Sequence, residues 1–377
     1  MKIAHLTPTF FSESSIIGGG ERYVYNIAKS IQIAADSRDK VIDQSIISLG
    51  EKAKHFERDE IQVHILKNDS PFPEKMNAIP TQLRSLLDSI EKLDLVHIHQ
   101  SLTLFGAYAT AIAKSKGVCI ISTDLGGGEN DFMLHGKGLE LCDGVLSISQ
   151  YAKSLISSNF SGMHCTQIGP VDTERFTTRP KTSRKKDTAL CVGRLLPHKG
   201  LDLAIKALPK QMKLLIVGRP YDLKYFEFLK SLSKDKNVEF ITNANDNDLI
   251  RLYRTSTILI QASVHKDCYG NTYQKPELMG LTTLEALSCG LPVVTSTAGS
   301  LPELVPDARF GRTFSSLEEL KAIFREITDN KWPKQEASEL ARKHVIQNHS
   351  FLSTGNAVLN FYKSTLEQQK TRGHDLL

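Results

Sequence analysis

The segment from Lys275 to Val294 contains two carboxylates whose spacing suits the binding of an anionic ligand. Glu277 and Glu285 lie on either side of Gly280, with seven residues between the two acids. Leucines recur at helical spacing after this glycine, at Leu281, Leu284 and Leu287. A helix is therefore predicted to begin there, and its N-terminus offers unpaired N–H groups and a positive dipole end to a diphosphate. The alternative is that Glu277 only complements the dipole and that Glu285 is a solvated helix residue.

A second loop adds cationic side chains of the kind that bind phosphate. A buried-type strand at residues 189–193 is followed by Arg194 and Lys199, and an apolar pattern with helical spacing comes next. Arginine can form a two-pronged hydrogen bond with phosphate, whereas lysine acts as a point charge. The loop therefore predicts a second anion-binding element, and the alternative is a pair of solvated loop cations.

Three glycines near the start of the chain suggest close approach of a ligand to the backbone. Gly18, Gly19 and Gly20 follow a predicted strand and precede a helical pattern. Glycine has no Cβ, so a phosphate or sugar can approach the main chain at such a helix N-terminus. The spacing matches neither the dinucleotide fingerprint nor the phosphate-binding loop with its lysine, and a flexible turn is the alternative.

Two polar residues stand where neighbouring strands of the first half are predicted to end. The strand at 94–99 places His97 and His99 on one face, because side chains alternate across a strand. The next strand leads into Asp124. Ligands of open parallel sheets bind beyond the carboxyl ends of the strands, so His99 and Asp124 are candidate site residues. A structural histidine is the alternative for His99.

The composition describes a protein of two α/β domains. A chain of 377 residues is long for one core, and strands alternate with helices in both halves, which predicts doubly wound parallel sheets. The first domain is expected to span residues 1–178 and the second 179–349, with a basic run at 179–186 as the linker. Six cysteines without close pairs indicate neither a zinc site nor a disulfide framework.

Charge and hydropathy narrow the functional class. The net charge of +5 permits attraction to phosphates or to an anionic membrane surface without requiring either. The chain lacks an apolar run long enough for a bilayer and a recognisable export signal, so a cytoplasmic protein is expected. An Asp-x-Asp pattern at Asp246–Asp248 opens a predicted helix and is interpreted as a cap, not as a metal site.

Taken in order, these segments resemble the retaining glycosyltransferases of family 4, which have the GT-B fold of two Rossmann-like domains facing a cleft. The resemblance covers nearly the whole chain. It rests on an ordered set of segments, each weak alone: Gly18–Arg22, Asp94–His99, Ile148–Lys153, Val171–Phe176, Val192–Gly200 and Pro276–Val294.

The resemblance implies a role for each candidate residue. Glu277 would lie near the transferred sugar, and Glu285 would bind the ribose of the nucleotide. The donor diphosphate would be neutralised by two side chains and by backbone N–H groups: Arg194, Lys199, Gly280 and Leu281. The first half would hold the acceptor, with the loop at Gly18, Gly19 and Gly20 closing on the cleft, and a C-terminal helix at about 350–377 would pack back on the first domain.

The same resemblance implies a reaction without a metal or a resident cofactor. The donor would be a nucleotide-diphosphate sugar, UDP-, GDP- or ADP-linked. Family members are described as reacting by front-face attack, with the leaving phosphate taking the acceptor's proton, so no enzymic nucleophile is required. Many members carry a histidine that contacts the donor sugar where this chain has Asp124 and Leu125. Either Asp124 or His99 takes over that contact, or the sugar is held differently.

Other functions remain open at this stage. The acceptor is expected to be a glycan, a lipid-linked intermediate or a small molecule, as in polysaccharide biosynthesis, and not a nucleic acid. Peripheral membrane contact is a further hypothesis. A sugar-nucleotide epimerase or a phosphorylase would use the same fold, although the lysine that a phosphorylase needs for its cofactor is not evident. A non-catalytic two-domain protein that binds a sugar ligand is the alternative from outside enzymology.

Overall fold

The computed structural model describes residues 1–8, 19–71, 75–90, 92–178 and 187–374. The chain divides into two compact units, the first formed by Met1–Pro170 with Ser350–Leu377 and the second by Val171–His349. The predicted linker at 179–186 and the predicted ligand contact at Gly18 lie outside the described residues.

The first unit is built on an eight-stranded sheet. Its strands are β1 (Lys2–Leu6), β2 (Asp43–Gly50), β3 (Lys54–Arg58), β4 (Ile61–Lys67), β5 (Leu95–His99), β6 (Cys119–Thr123), β7 (Gly144–Ser147) and β8 (Met163–Thr166). They follow the order β3-β4-β2-β1-β5-β6-β7-β8, and every pairing is parallel except that of β3 with β4. The central strands are buried on both faces, which explains their mainly apolar sequences.

Helices cover this sheet and connect its strands. They are α1 (Gly19–Asp36), α2 (Leu83–Ser89), α3 (Leu104–Ser115), α4 (Asp131–Leu134) and α5 (Gln150–Ile156). Thr103 caps α3, since its hydroxyl accepts a hydrogen bond from the N–H of Gly106. The polar residue at this position thus starts the helix that packs behind β5 and β6.

The second unit has a six-stranded sheet in which all pairings are parallel. Its strands are β9 (Thr188–Val192), β10 (Lys213–Val217), β11 (Val238–Ile241), β12 (Ile258–Gln261), β13 (Val293–Ser296) and β14 (Gly311–Phe314). Its helices are α6 (Leu201–Ala207), α7 (Leu223–Leu232), α8 (Asp246–Thr255), α9 (Leu281–Ser288), α10 (Leu317–Thr328) and α11 (Ala337–His349). The order β11-β10-β9-β12-β13-β14 reverses at β9, the topology that places ligands at the carboxyl edge.

The last helix, α12 (Phe351–His374), returns to the first unit and packs on α1. Gly355 makes the close approach possible: a Cβ built at this residue would lie 1.9 Å from the backbone oxygen of Ser30. The hydroxyl of Tyr362 lies 2.6 Å from Nδ1 of His97 in β5. The C-terminal helix is therefore part of the core of the first unit.

The division between the units lies before the predicted position at residue 178, because residues 171–178 are bound to the second unit. Phe176 is buried, and its ring centroid is 6.2 Å from that of Tyr253. The guanidinium of Arg342 donates hydrogen bonds to the carbonyl oxygens of Thr173 and Phe176. These contacts join residues distant in sequence, so the sequence pattern alone did not reveal them.

Candidate active site

The second unit brings together the lysine and the first glutamate of the predicted donor site. Lys199 ends a short 3₁₀ turn before α6, and Glu277 lies in the segment between β12 and α9. The ammonium Nζ of Lys199 is 2.9 Å from Oε2 of Glu277, with side-chain exposures of only 16% and 19%. The same ammonium lies 3.4 Å from the carbonyl oxygen of Pro276. Two separate loops of the sheet are thus joined by one partly buried ion pair.

Gly280 connects this ion pair to the N-terminus of α9. It precedes the helix with a φ of 73°, and its N–H donates to Oε1 of Glu277 over 3.3 Å. A Cβ at this residue would lie 2.4 Å from Cδ1 of Leu304, so both the backbone conformation and the available space require glycine. Leu281 is the first residue of the helix, and its N–H has no carbonyl partner within the helix by geometry.

The electrostatic surroundings keep Glu277 ionised. Burial raises the pKa of this carboxyl, but the positive charge and hydrogen bond of Lys199 and the N–H of Gly280 outweigh burial, so its pKa is lowered overall. The pKa of the neighbouring His198 is also lowered, to about 4, by burial and by the charges of Lys199 and Arg194. At neutral pH the group therefore consists of a carboxylate, an ammonium and a neutral imidazole.

Arg194 follows β9 at the same edge of the sheet and is exposed. Its guanidinium carbon lies 5.8 Å from the ring centroid of Tyr221, within the range of a cation–π contact. In the described part of the chain, Arg194 has no carboxylate within ion-pair distance. Its charge is available for an anionic ligand.

The second glutamate is buried inside the unit. Glu285 is 5% exposed, and the hydroxyl of Tyr253 donates to its Oε2 over 3.0 Å. The interpretation of Glu285 as a solvated helix residue is therefore wrong. The hydrophobic pattern could not distinguish a buried Glu285 from a solvated one, because its partner Tyr253 comes from α8, 32 residues earlier in the chain.

The segment after β12 is ordered around Asp267. Its carboxylate accepts hydrogen bonds from the backbone N–H groups of Tyr269 and Asn271, from the side-chain amide of Asn271 and from the hydroxyl of Tyr273. These bonds outweigh the effect of burial and lower the pKa of Asp267. The ring centroid of Tyr273 lies 4.9 Å from that of His198. The hydrophobic pattern of the sequence does not reveal this support, because the loop has no regular apolar spacing.

The glycine-rich start of α1 lies near the carboxyl ends of β5 and β6. Gly19 and Gly20 begin α1, and a Cβ at Gly20 would lie 3.6 Å from the side-chain nitrogen of Gln100. The side-chain oxygen Oε1 of Gln100 accepts a hydrogen bond from the N–H of Gly127 over 2.9 Å. Gln100 thus connects the glycine-rich N-terminus of α1 with the loop that follows β6. No sequence motif marks Gln100; only its position directly after His99 indicates it.

His99 lies in the interior of the first unit and not at its surface. His5, His97 and His99 are completely buried on one side of β1 and β5, with ligand nitrogens within 4.8 Å of one another, a spacing that is compatible with a metal ion. Burial lowers the pKa of His5 to about 4 and brings the pKa values of His97 and His99 well below 6.5. All three imidazoles are therefore neutral at pH 7.

Hydrogen bonds already occupy most of these ring nitrogens. Nε2 of His97 donates to Oγ1 of Thr123, and the Thr123 hydroxyl in turn donates to the carbonyl oxygen of Leu146. Nδ1 of His97 accepts a hydrogen bond from the hydroxyl of Tyr362. His5 donates to Oε1 of Gln44 and accepts from Nε2 of His99 over 3.2 Å. Only Nδ1 of His99 lacks a partner among the described residues. This arrangement fits a neutral hydrogen-bonded network and argues against contact between His99 and a donor sugar.

Asp124 is the other candidate for that contact. It follows β6 directly and is partly exposed, and its Oδ1 accepts the N–H of Gly126 over 3.0 Å. The pairing of His99 with Thr123 places the ends of β5 and β6 side by side, as the sequence predicted. Asp124 therefore reaches the carboxyl edge of the sheet, whereas the His99 ring points into the core.

The Asp-x-Asp segment caps a helix, as predicted. Asn245 accepts the N–H of Asp248, and the carboxylate of Asp248 accepts the N–H of Asn245, which completes a capping box at α8. The carboxylate of Asp246 pairs with Arg175 over 2.8 Å. Both acids thus have local structural partners.

None of the helices in the described ranges has the length and apolar character that crossing a membrane would require.

Comparison with known structures confirms the fold expected from the sequence. The structure of sucrose-phosphate synthase from Thermosynechococcus elongatus matches 97% of this chain and 99% of its own, with a TM-score of 0.74 at 15% identity. HepE of Anabaena, in complex with UDP and glucose, matches 97% of this chain with a TM-score of 0.68 at 18% identity and is itself covered completely. The chain has the GT-B fold.

Sequence comparison supports a glycosyltransferase. Residues 172–344, within the second unit, match the family model of group 1 glycosyl transferases. A GDP-mannose-dependent monoacylated alpha-(1-6)-phosphatidylinositol monomannoside mannosyltransferase of Corynebacterium glutamicum is 26% identical over 76% of this chain and 81% of its own. The GPI3 subunit of the Saccharomyces cerevisiae phosphatidylinositol N-acetylglucosaminyltransferase is 22% identical over 81% of this chain and 70% of its own.

Proposed function

We propose that this GT-B glycosyltransferase transfers a sugar from a nucleotide-diphosphate donor to an acceptor with retention of the anomeric configuration. The observation that carries the proposal is the ion pair of Lys199 and Glu277 at the N-terminus of α9. It joins a cation, a carboxylate and unpaired helix N–H groups at the carboxyl edge of one sheet, where α/β proteins bind nucleotides.

Each residue has a distinct proposed role. Lys199 and Arg194 neutralise the diphosphate, together with the N–H groups of Gly280 and Leu281. This charge stabilises the transition state, because the leaving diphosphate becomes more negative as the glycosidic bond breaks. Glu277 faces the transferred sugar, and its lowered pKa keeps it a carboxylate that accepts hydrogen bonds from sugar hydroxyls.

Glu285 is proposed to bind the ribose. Its carboxylate is held by Tyr253, so binding requires one oxygen to accept the ribose hydroxyls while the other keeps the tyrosine. In the first unit, Gly19 and Gly20 are proposed to contact the donor, and Asp124 is favoured over His99 for the sugar. The burial of the His99 ring supports this preference.

The relatives support a nucleotide-sugar donor and a glycan or lipid-linked acceptor. The Corynebacterium relative is named for GDP-mannose and a phosphatidylinositol acceptor, and HepE binds UDP and glucose. Retention is proposed because the chain resembles the retaining glycosyltransferases of family 4. A reaction without a metal ion is proposed because two cations and a helix N-terminus could neutralise the phosphates in its place. The leaving phosphate would accept the proton of the acceptor hydroxyl, so that no enzymic nucleophile takes part.

A binding experiment with matched variants tests the donor site. UDP-, GDP- and ADP-glucose and GDP-mannose are titrated into the protein in the presence of EDTA by calorimetry, with thermal shift as a second readout. At least one donor should bind. Lys199→Ala should weaken that binding by about tenfold or more, the effect of removing a hydrogen bond to a charged group. The control is Lys213→Ala, since Lys213 pairs with Glu239 at the opposite, amino end of the sheet.

Two results would count against the proposal. Absence of binding by every donor would remove the nucleotide-sugar assignment. Equal loss in the Lys199→Ala and Lys213→Ala variants would show that general charge and not this site drives the binding. Once a donor is found, the anomeric configuration of the product, read by proton NMR, decides between retention and inversion.

A further inference from the structure

A cavity in the first unit lies beside the loop that follows β6. Its volume is about 350 Å³. Three parts of the chain line it: the loop between β5 and α3, the segment from Gly127 to Phe132, and the 3₁₀ turn Lys75–Asn77. Sites for small molecules have volumes of about 300–1,000 Å³, so this cavity suits a compact ligand such as one or two sugar rings.

Hydrogen bonds hold the walls of the cavity in place. The N–H of Asn130 donates to the carbonyl oxygen of Leu102 over 2.9 Å, and the side chain of Asn130 accepts the N–H of Met133 over 3.1 Å. Gly128 permits this close contact, because a Cβ built there would lie 2.9 Å from the same carbonyl oxygen. The glycine run after β6 therefore brings two loops together around a preformed cavity.

Part of the cavity lining is apolar and includes an exposed aromatic ring. Phe132 is 47% exposed, yet its ring is packed at one edge, since a Cβ at Gly138 would lie 2.9 Å from its Cδ1. Met76 and Leu104 are half-buried and line the same cavity. The C–H groups of a pyranose ring form an apolar face that packs on aromatic and aliphatic side chains. This part of the lining therefore suits a sugar.

Among the described residues, the polar side chains that line the cavity include no cation. Asn77 provides an amide, and Glu129 and Asp131 provide carboxylates. The carboxylate of Asp131 has neither a hydrogen-bond donor nor a cation as partner in the described part of the chain. Amides and carboxylates accept hydrogen bonds from sugar hydroxyls, whereas a carboxylate repels a phosphate. The lining therefore favours an uncharged sugar over a phosphorylated one.

We propose that this cavity binds an uncharged sugar ring of the acceptor, an inference whose acceptor role rests on the proposed glycosyltransferase function. Asp124, which is favoured above for contact with the donor sugar, precedes the cavity in the same loop, and its carboxylate accepts the N–H of Gly126. Gln100 accepts the N–H of Gly127, which lines the cavity. One loop thus carries both the proposed contact to the donor sugar and the wall of the acceptor cavity. A phosphate or lipid of the acceptor would lie outside the cavity.

Saturation-transfer difference NMR on the full-length protein tests the cavity without a donor. The probes are the methyl α-glycosides of mannose, glucose, galactose and N-acetylglucosamine. At least one should receive saturation from the protein. Phe132→Ala should weaken the binding of that glycoside about fivefold, the effect of losing one aromatic contact. The matched control is Leu352→Ala, at an apolar side chain of the first unit that is 44% exposed, and it should bind like the wild type.

Competition with sugar phosphates tests the charge of the cavity. Neither mannose 6-phosphate nor glucose 6-phosphate should displace the bound glycoside from the wild-type protein. The double variant Glu129→Gln, Asp131→Asn keeps the shape of both side chains and removes their charge, so a 6-phosphate should then compete. Circular dichroism verifies that all variants remain folded.

Three outcomes would overturn the proposal. The first is no saturation of any methyl glycoside. The second is equal displacement by sugar phosphates in the wild type and the double variant, because the carboxylates would then exclude nothing. The third is binding that Glu277→Gln abolishes and Phe132→Ala leaves unchanged, which would assign the sugar to the donor site. The titration of nucleotide sugars is a separate measurement: its failure alone would remove the proposed transfer and leave a cavity that binds an uncharged sugar.

Discussion

The buried histidines of the first unit predict a pronounced loss of stability in mild acid. His5 has an ordinary pKa of 6.5 when unfolded and a pKa of about 4 in the folded protein, where burial disfavours its charge. Below pH 6.5, His5 therefore binds a proton in the unfolded chain but stays neutral in the folded protein until the pH approaches 4. The stabilisation is fully present above 6.5 and is lost progressively as the pH falls toward 4.

The size of this effect follows from proton linkage. His5 alone should cost about 2 kcal/mol of unfolding free energy between about pH 7 and about pH 5, and about 3 kcal/mol once the pH falls below its folded pKa. The depressed pKa values of His97 and His99 act in the same direction. Domains have only about 5–15 kcal/mol of stability in total, so a loss of this size is a substantial fraction of it.

Urea denaturation between about pH 7 and about pH 4, monitored by far-UV circular dichroism, measures the free energy of unfolding. His5→Asn removes the titrating group while leaving a polar side chain beside Gln44 and His99. Its absolute stability should be lower than that of the wild type, but its dependence on pH should be shallower by up to about 1.4 kcal/mol per pH unit. His135→Asn, at an exposed histidine, is the control and should keep the wild-type slope.

An unchanged slope in His5→Asn would refute the reasoning. It would mean that His5 takes up no fewer protons in the folded state than in the unfolded state. The interpretation of His5, His97 and His99 as a network of neutral imidazoles would then be wrong.

Three further substitutions test the second unit. Gly280→Ala should destabilise the protein by about 1–3 kcal/mol in urea denaturation, because alanine at a positive φ is strained and its Cβ meets Leu304; a neutral effect would contradict the described backbone. Tyr253→Phe should cost about 1–3 kcal/mol by leaving buried Glu285 without this donor, and a cost below that of an exposed substitution would count against the bond. Asp267→Ala should increase hydrogen exchange at Tyr269 and Asn271, whereas unchanged protection would show that the carboxylate does not order the loop.

The sequence predicted the elements whose residues show a regular hydrophobic pattern. The buried parallel strands and the helix that follows Gly280 are examples, since burial on both faces or on one stripe marks their sequence directly. Strand β3 escaped prediction because Lys54–Arg58 is an edge strand with four exposed residues out of five, so it has no apolar face to reveal it.

The candidate site was predicted less completely, because its contacts join distant segments. Lys199 and Glu277 were identified from their loops, but their direct ion pair bridges 78 residues. His99 was a candidate because it lies at a strand end, where parallel sheets bind ligands, and its contact with the donor sugar stays a prediction. Its hydrogen-bond partner His5 comes from β1, and Tyr362 of α12 is bonded to the neighbouring His97. A residue type and a strand pattern carry no information about these contacts.

The return of α12 to the first unit has a consequence for synthesis on the ribosome. The hydroxyl that completes the hydrogen bonding of His97 belongs to Tyr362, 265 residues later in the chain. Residues 1–170 are made before the second unit, yet their core lacks this helix until residues 351–374 have been translated, whereas residues 171–349 are contiguous. The second unit can therefore finish folding before the first, and nascent chains that stop before residue 350 should expose the apolar face that α12 covers.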